Sequence, residues 1–365
     1  MGTVLMVGTR KGLWLGLSED EGDRREQWRL SGPHFDLEEV YSCLVDTRVA
    51  PPVLFAGSAS PWTGPQVQRS TDLGATWSEA EAPPRFPEDV EASVERVWQL
   101  SAGPGPAGTP GAVWAGTEPG AVFTSYDGGN RFTLQRALWD HPHRPEWSEG
   151  FGGQAFHTLL PHPTDPDAAL VALSTGGVYA TTDGGASWEP RNAGIRAEFL
   201  PPGQQFPEFG QCVHKATRHP LRPERLYLQN HGGVYRSDDE GRSWVPICDG
   251  LPSDFGFPVV VHPHEPDTLF VFPIDAERRC PPEGHARVWR SRDAGETWEG
   301  VGEGLPDPCY VAVLRDAMCA DDHEQAGLYL GFRNGEVALS TDDGAGWRTV
   351  VRNLPDVVCV RAGRF

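Results

Sequence analysis

ATTDGGASW, residues 180–188, is one of six segments cut to a single template. The others are RSTDLGATW (69–77), TSYDGGNRF (124–132), RSDDEGRSW (236–244), RSRDAGETW (290–298) and LSTDDGAGW (339–347). Their aspartates are Asp72, Asp127, Asp183, Asp239, Asp293 and Asp342, spaced 55, 56, 56, 54 and 49 residues apart. A period of that size marks a repeat architecture. The template reads Ser/Thr-x-Asp-x-Gly-x-x-Trp/Phe, and each position has a mechanical use. The carboxylate can accept backbone N–H groups across a hairpin turn. The glycine supplies positive φ, and the aromatic ring packs back over the sheet. Six copies at one turn make these aspartates a folding device rather than active-site acids.

Strands can be read outward from each turn. A strand precedes every box, for instance GGVYRS or ARVWRS, and before that lies a second series. It comprises residues 3–10, 53–59, 112–118, 170–175, 225–231, 268–274 and 327–333. A third series precedes the second, at 40–46, 96–101, 155–163, 212–220, 258–263, 310–316 and 357–365. The chain thus opens on a second-series strand and ends on a third-series one. Pairing the last strand with the first ones removes both free sheet edges. The expected fold is all-β: a seven-bladed β-propeller of four-stranded antiparallel blades, closed by the C-terminal strand. It is read as one domain over 1–365. Its blades run over 1–31 with 355–365, 39–83, 93–138, 154–192, 210–250, 257–304 and 308–353. The first blade has no clean box, and its turn is placed in SEDEGDRR (18–25).

The repeat resembles the Asp-box, or BNR, propellers, a group that includes sialidases, sortilin-type receptors, xyloglucanases and photosystem-assembly propellers. The resemblance covers essentially the whole chain and implies the fold. It does not choose a function, because one scaffold carries several. It also implies that ligands bind on the face opposite the boxes. The sialidase pattern itself is missing: there is no Phe/Tyr-Arg-Ile-Pro motif near the start.

Composition agrees with a β-rich chain. Among 365 residues there are 43 Gly, 34 Pro and 13 Trp, but only 3 Met. A net charge of −20 repels polyphosphates and anionic bilayers, so neither nucleic acid nor a membrane is an expected partner. No stretch reaches about 18 uninterrupted apolar residues. MGTVLMVGTRKGLWLGL reads as a first strand, not a signal peptide. Seven cysteines without a CxxC pair point to a reducing cytoplasm.

Candidate chemistry lies at strand ends on the expected ligand face. Registering the third series on its His-Pro pairs gives His157 and His214 equivalent positions in adjacent blades. Phe257, Tyr310, Ser42 and Arg96 fall in the same row. His231 ends the second-series strand of the blade that holds His214, and His34 lies on the first rim loop. Three or four imidazoles around one point suit Zn, Fe or Cu. His157, His214, His231 and His34 are therefore the expected metal ligands. Arg10, Arg96 and Arg333 are the expected substrate-binding residues, able to clamp an anionic group. The alternative for the arginines is ion pairing with Glu118, Glu149 or Asp140. Glu118, Glu149 and Tyr310 are the candidates for catalysis. His162, His219 and His262 each precede Pro and read as turn residues. Cys43, Cys212, Cys309 and Cys359 read as core, with a nucleophilic role for Cys212 as the minor alternative.

The leading expectation is a metal-dependent oxidoreductase or hydrolase acting on a small organic molecule, in one variant an anionic one. The alternatives are a non-enzymatic platform for a protein partner and a sialidase-like glycoside hydrolase built on paired carboxylates.

Overall fold

The computed structural model describes residues 2–19, 25–150 and 153–365. It contains seven four-stranded antiparallel sheets, and the fold is a seven-bladed β-propeller. The first sheet has β1 (Thr3–Thr9), β2 (Gly12–Ser18) and β3 (Arg29–His34), with β28 (Val357–Arg364) on the far side of β1. The second has β4 (Glu39–Asp46), β5 (Val53–Ser60), β6 (Gly64–Ser70) and β7 (Ser78–Glu79). The third has β8 (Arg96–Gly103), β9 (Ala112–Glu118), β10 (Ala121–Ser125) and β11 (Thr133–Leu134). The fourth has β12 (Phe156–Pro161), β13 (Ala169–Leu173), β14 (Gly177–Thr181) and β15 (Glu189–Pro190). The fifth has β16 (Val213–His219), β17 (Arg222–Asn230), β18 (Gly233–Ser237) and β19 (Val245–Pro246). The sixth has β20 (Gly256–Val261), β21 (Leu269–Pro273), β22 (Val288–Ser291) and β23 (Glu299–Val301). The seventh has β24 (Met318–Ala320), β25 (Leu328–Gly331), β26 (Val337–Ser340) and β27 (Arg348–Val351). Among the described residues the one α-helix is a single turn at Arg136–Trp139. Among the same residues no helix is long and apolar enough to cross a membrane.

The six repeated turns share three hydrogen bonds, and four of them add a fourth from a Ser or Thr hydroxyl. In ATTDGGASW the Thr181 hydroxyl donates to Asp183 Oδ1 at 2.8 Å and accepts the Gly185 N–H at 2.9 Å. Asp183 in turn accepts the Ser187 N–H at 2.9 Å and the Ser187 hydroxyl at 2.6 Å. Ser237, Asp239, Gly241 and Ser243 repeat these bonds, as do Ser291, Asp293, Gly295 and Thr297. The conserved geometry needs more than the template suggested. Positive φ occurs at the template glycine and also at the residue before it: Leu73, Gly128, Gly184, Glu240, Ala294 and Asp343. Two consecutive left-handed residues make a hairpin turn whose twist matches its strands. His162, His219 and His262 are turn residues as well: each Nδ1 accepts a backbone N–H two or three positions on.

The chain forms two compact units, one of Met1–Ala56, Ser70–Trp77 and Ile247–Phe365, the other of Gly57–Arg69 and Ser78–Pro246. In the first, β28 pairs with β1 from Thr3↔Arg364 to Thr9↔Val357, as the strand count requires. Its cores gather Phe270, Phe272, Phe332 and Trp347 in one cluster and Leu5, Val7, Tyr329 and Val360 in another. In the second unit, Trp114, Phe156, Tyr179 and Trp188 form one core, and Leu226, Leu228, Tyr235 and Trp244 the next.

Two readings are corrected. Residues 310–316 are not a strand; β24 starts at Met318, because the hairpin partner of β25 must lie immediately upstream of its turn. The alternation in YVAVLRD is instead met by an irregular segment that buries Ala312 and Val313. Most of the turn placed at 18–25 lies outside the described residues.

Candidate metal centre

The fifth sheet positions the cluster of interest. Val213 pairs with Asn230, and the register then slips so that His214 is an extra residue before Lys215↔Gln229. Such a bulge re-aims the side chain it carries. The neighbouring sheets have the same irregularity, with His157 bulged on β12 and Trp98 bulged on β8. His157, His214 and Trp98 therefore share one structural position; Arg96 lies two residues earlier.

Cys212 lies immediately before β16 and His214 sits on its bulge, and their side chains converge. His231 follows β17 directly, and its N–H donates to the Cys212 carbonyl at 2.9 Å. Cys212 Sγ lies 3.8 Å from His214 Nε2, and the His214 and His231 ring centroids are 5.5 Å apart at 71°. One ligand atom from each of the three residues falls within 4.8 Å of the others, the one such group among the described residues. A tetrahedral zinc with bonds of roughly 2.3 Å to sulfur and 2.05 Å to nitrogen separates S from N by about 3.5 Å. The observed pair is close to that distance. His214 is 4% exposed, and Cys212 and His231 are half-buried.

Three residues of the same sheet and its entering loop carry side-chain oxygens without hydrogen-bond donors. Gln211 and Asn230 are both 0% exposed, and each adjoins a triad residue. Their amide nitrogens are committed: Gln211 Nε2 donates to the Pro207 carbonyl at 2.7 Å and Asn230 Nδ2 to the Arg196 carbonyl at 2.9 Å. Gln211 Oε1 and Asn230 Oδ1 have no donor, and neither has either oxygen of the buried Glu198 carboxyl. That carboxyl packs on Gly232, next to His231, so tightly that a Cβ there would lie 2.4 Å from its carbon.

The other expected site residues have their own partners. His157 is fully buried; its Nε2 lies 3.0 Å from the Val213 carbonyl and its Nδ1 3.1 Å from Thr158 Oγ1. It thus holds the backbone one residue before His214. His34 packs on Trp77, centroids 5.9 Å apart, and lies 3.3 Å from Ser31 Oγ. Arg10 binds Glu39 at 2.8 Å and Asp356 at 3.2 Å, and Arg333 binds Asp356 at 2.7 Å. Arg96 binds Glu118 at 2.8 Å. Burial raises the Glu118 carboxyl above its ordinary value despite Arg96, with Glu95 and Glu149 adding to the shift. Glu149 is exposed, and Tyr310 is 70% exposed.

Sequence reasoning placed Cys212 in the core rather than among the potential ligands, and did not single out Glu198. The first had a partial signal: Cys-x-His keeps the two side chains close in sequence, and the bulge at His214 sets their aim. The second had none, because it depends on a loop folding back onto Gly232.

No profile of a known protein family matches the sequence. Xyloglucanase Xgh74A of Acetivibrio thermocellus is 23% identical over 237 residues, covering 55% of this chain and 26% of that protein. The chain therefore spans about a quarter of the length of this curated relative. Among solved structures, the Niastella koreensis GH74 enzyme superposes with a TM-score of 0.64 at 15% identity, over 96% of this chain and 52% of that one. YCF48 from Cyanidioschyzon merolae gives 0.54 at 13% identity, over 86% and 84%. At these identities the likeness is one of fold.

Proposed function

We propose that Cys212, His214 and His231 hold a transition-metal ion with an open coordination position, where a small organic molecule is bound and transformed. The observation that carries this reading is the convergence of one sulfur and two imidazole nitrogens within 4.8 Å. A thiolate with two imidazoles favours zinc, copper or iron over magnesium or calcium. Three protein ligands leave room for water or substrate, as catalytic sites require. A reducing cytoplasm is the compartment in which such a thiol survives, and none of the seven cysteines is in a disulfide. The six Ser/Thr-x-Asp turns support a place among the Asp-box propellers. The three arginines are paired with carboxylates, so the reading needs no anionic substrate.

Elemental analysis of protein purified without a metal-affinity tag tests the proposal. About one metal per chain is expected, lost in a Cys212→Ser/His214→Ala double variant. A correctly folded, metal-free parent rejects it.

A second reading, a glycoside hydrolase, draws on the raised carboxyl of Glu118 beside Glu149, since such enzymes pair one protonated and one ionised carboxyl group. Turnover of fluorogenic glucosides or sialosides that disappears in Glu118→Gln, with the metal retained, would favour it.

A further inference from the structure

Three of the six repeated segments begin with an arginine: Arg69, Arg236 and Arg290. Arg290 on β22 lies directly across from Glu299 on β23, and its Nε and Nη2 bind the Glu299 carboxylate at 2.8 and 2.7 Å. Its Nη1 donates to the carbonyl of Asp343, in the turn of the following blade, at 2.7 Å. Arg236 is paired with Asp238. Arg69 on β6 holds the same position, but the residue across from it on β7 is Ser78. The counterpart of Asp343 in the next repeat is Gly128. A hydroxyl and a hydrogen thus stand where the sixth and seventh blades have carboxylates, while the arginine is kept.

The exchange leaves both space and charge. A cavity of about 280 Å³ opens between β6, β7 and the turn of the third sheet, lined by Arg69, Ser78, Glu79, Asp127, Gly128 and Asn130 among others. A Cβ on Gly128 would meet no atom within 4 Å. Among the described residues no carboxylate pairs with the Arg69 guanidinium, whose Nε is shielded from water and has no acceptor. A shielded N–H without an acceptor is unfavourable, and the planar guanidinium fork matches the two oxygens of a carboxylate. Glu299 shows what fills this position where the chain itself supplies it.

The walls also limit the charge of a ligand. Asp127 accepts the Ser125 hydroxyl and the N–H groups of Asn130 and Arg131, bonds that favour its ionised form. Together with Glu79 it repels a dianion more strongly than a monoanion.

We propose that this cavity binds a small monocarboxylate, whose oxygens take the place on Arg69 that the Glu299 carboxylate takes on Arg290. The site shares no residue with the Cys212, His214 and His231 group, and neither proposal depends on the other.

The test follows the fluorine resonance of difluoroacetate as the full chain is titrated in at fixed ionic strength, with acetate and mostly dianionic phosphate as competitors. Saturable binding is expected, displaced by acetate and less readily by phosphate. Arg69→Met should weaken it at least about tenfold, since the paired hydrogen bonds are lost. Ser78→Glu should weaken it as much, by placing the sixth blade's own carboxylate across from Arg69. Thermal melts establish that each variant is folded, and Ser78→Glu decides alone where Arg69→Met does not fold. A parent without saturable binding overturns the proposal, as does an unchanged affinity in either folded variant. Phosphate displacing the probe better than acetate overturns the assignment to a monocarboxylate.

Discussion

The backbone N–H of His231 donates to the carbonyl of Cys212 at 2.9 Å, so two of the three potential ligands are tied across the open end of one hairpin. The third, His214, sits on the bulge of the same hairpin. A site built on paired strands holds its geometry better than one assembled from loops. The donor set is therefore preorganised, and binding an ion there needs little ordering.

The contrast between two histidines follows from this. His231→Ala should abolish stoichiometric metal while leaving the melting temperature of the metal-free protein close to the parent. His157→Ala should keep the metal but lower stability by about 2–3 kcal/mol, because it deletes a buried ring bonded to the Val213 carbonyl. Elemental analysis and chemical denaturation of both variants check the pair. Metal loss in His157→Ala at unchanged stability would contradict it.

Gly116 marks a close approach of backbones. A Cβ on this β9 residue would sit 2.1 Å from the carbonyl oxygen of Phe156 on the next sheet. Backbone cannot step aside as a side-chain tip can, so Gly116→Ala should cost roughly 3 kcal/mol or more. Urea titration measures it, and a change under about 1 kcal/mol would show that the sheets separate easily.

Within one box the two glycines should differ. Gly184 has φ 70 and is exposed, and its counterpart at four of the other five turns is Leu, Glu, Ala or Asp; Gly184→Ala should cost about 1 kcal/mol. Gly185 has φ 90 and a Cβ there would meet Gln135 Oε1 at 2.1 Å, so Gly185→Ala should cost roughly 2–3 kcal/mol. Parallel thermal melts decide the order.

The box aspartates carry a pH signature. Bonds from the Ser187 hydroxyl and backbone N–H, then from Thr181, lower the Asp183 carboxyl to about 2. Its unfolded value is about 3.9, so its contribution is complete above that pH and is lost as pH falls through about 2. Asp183→Ala should therefore melt below the parent at pH 7, with the gap narrowing steadily from pH 5 downward. A gap independent of pH would mean that the ionised form is not what the turn uses.

The propeller was legible because its evidence is local and repeated. Each box states its own turn chemistry, and the unmatched strands at the two ends left β28 with β1 as the natural closure. Residues 310–316 misled because an alternating segment looks the same whether it pairs or merely packs; only the position of β25 separates the cases. The bulges were invisible for a related reason. One extra residue in a strand shifts every later equivalence, so Arg96 was aligned with His157 in place of Trp98. Cys212 was assigned to the core because a small apolar residue fits an inner strand, and its sulfur becomes a donor only once His231 arrives from β17. Glu198 depends on a fold-back of its loop that no local pattern encodes.

The pairing of β28 with β1 also orders events in the cell. A ribosome adding about 5–20 residues per second needs roughly half a minute to go from the first of these strands to the last. Throughout that interval TVLMVGT, wholly buried when folded, has one edge without its neighbour. Nascent chains therefore need shelter for this segment until β28 has been made. Moving residues 357–364 to the front by circular permutation would shorten the wait to the time of a single hairpin.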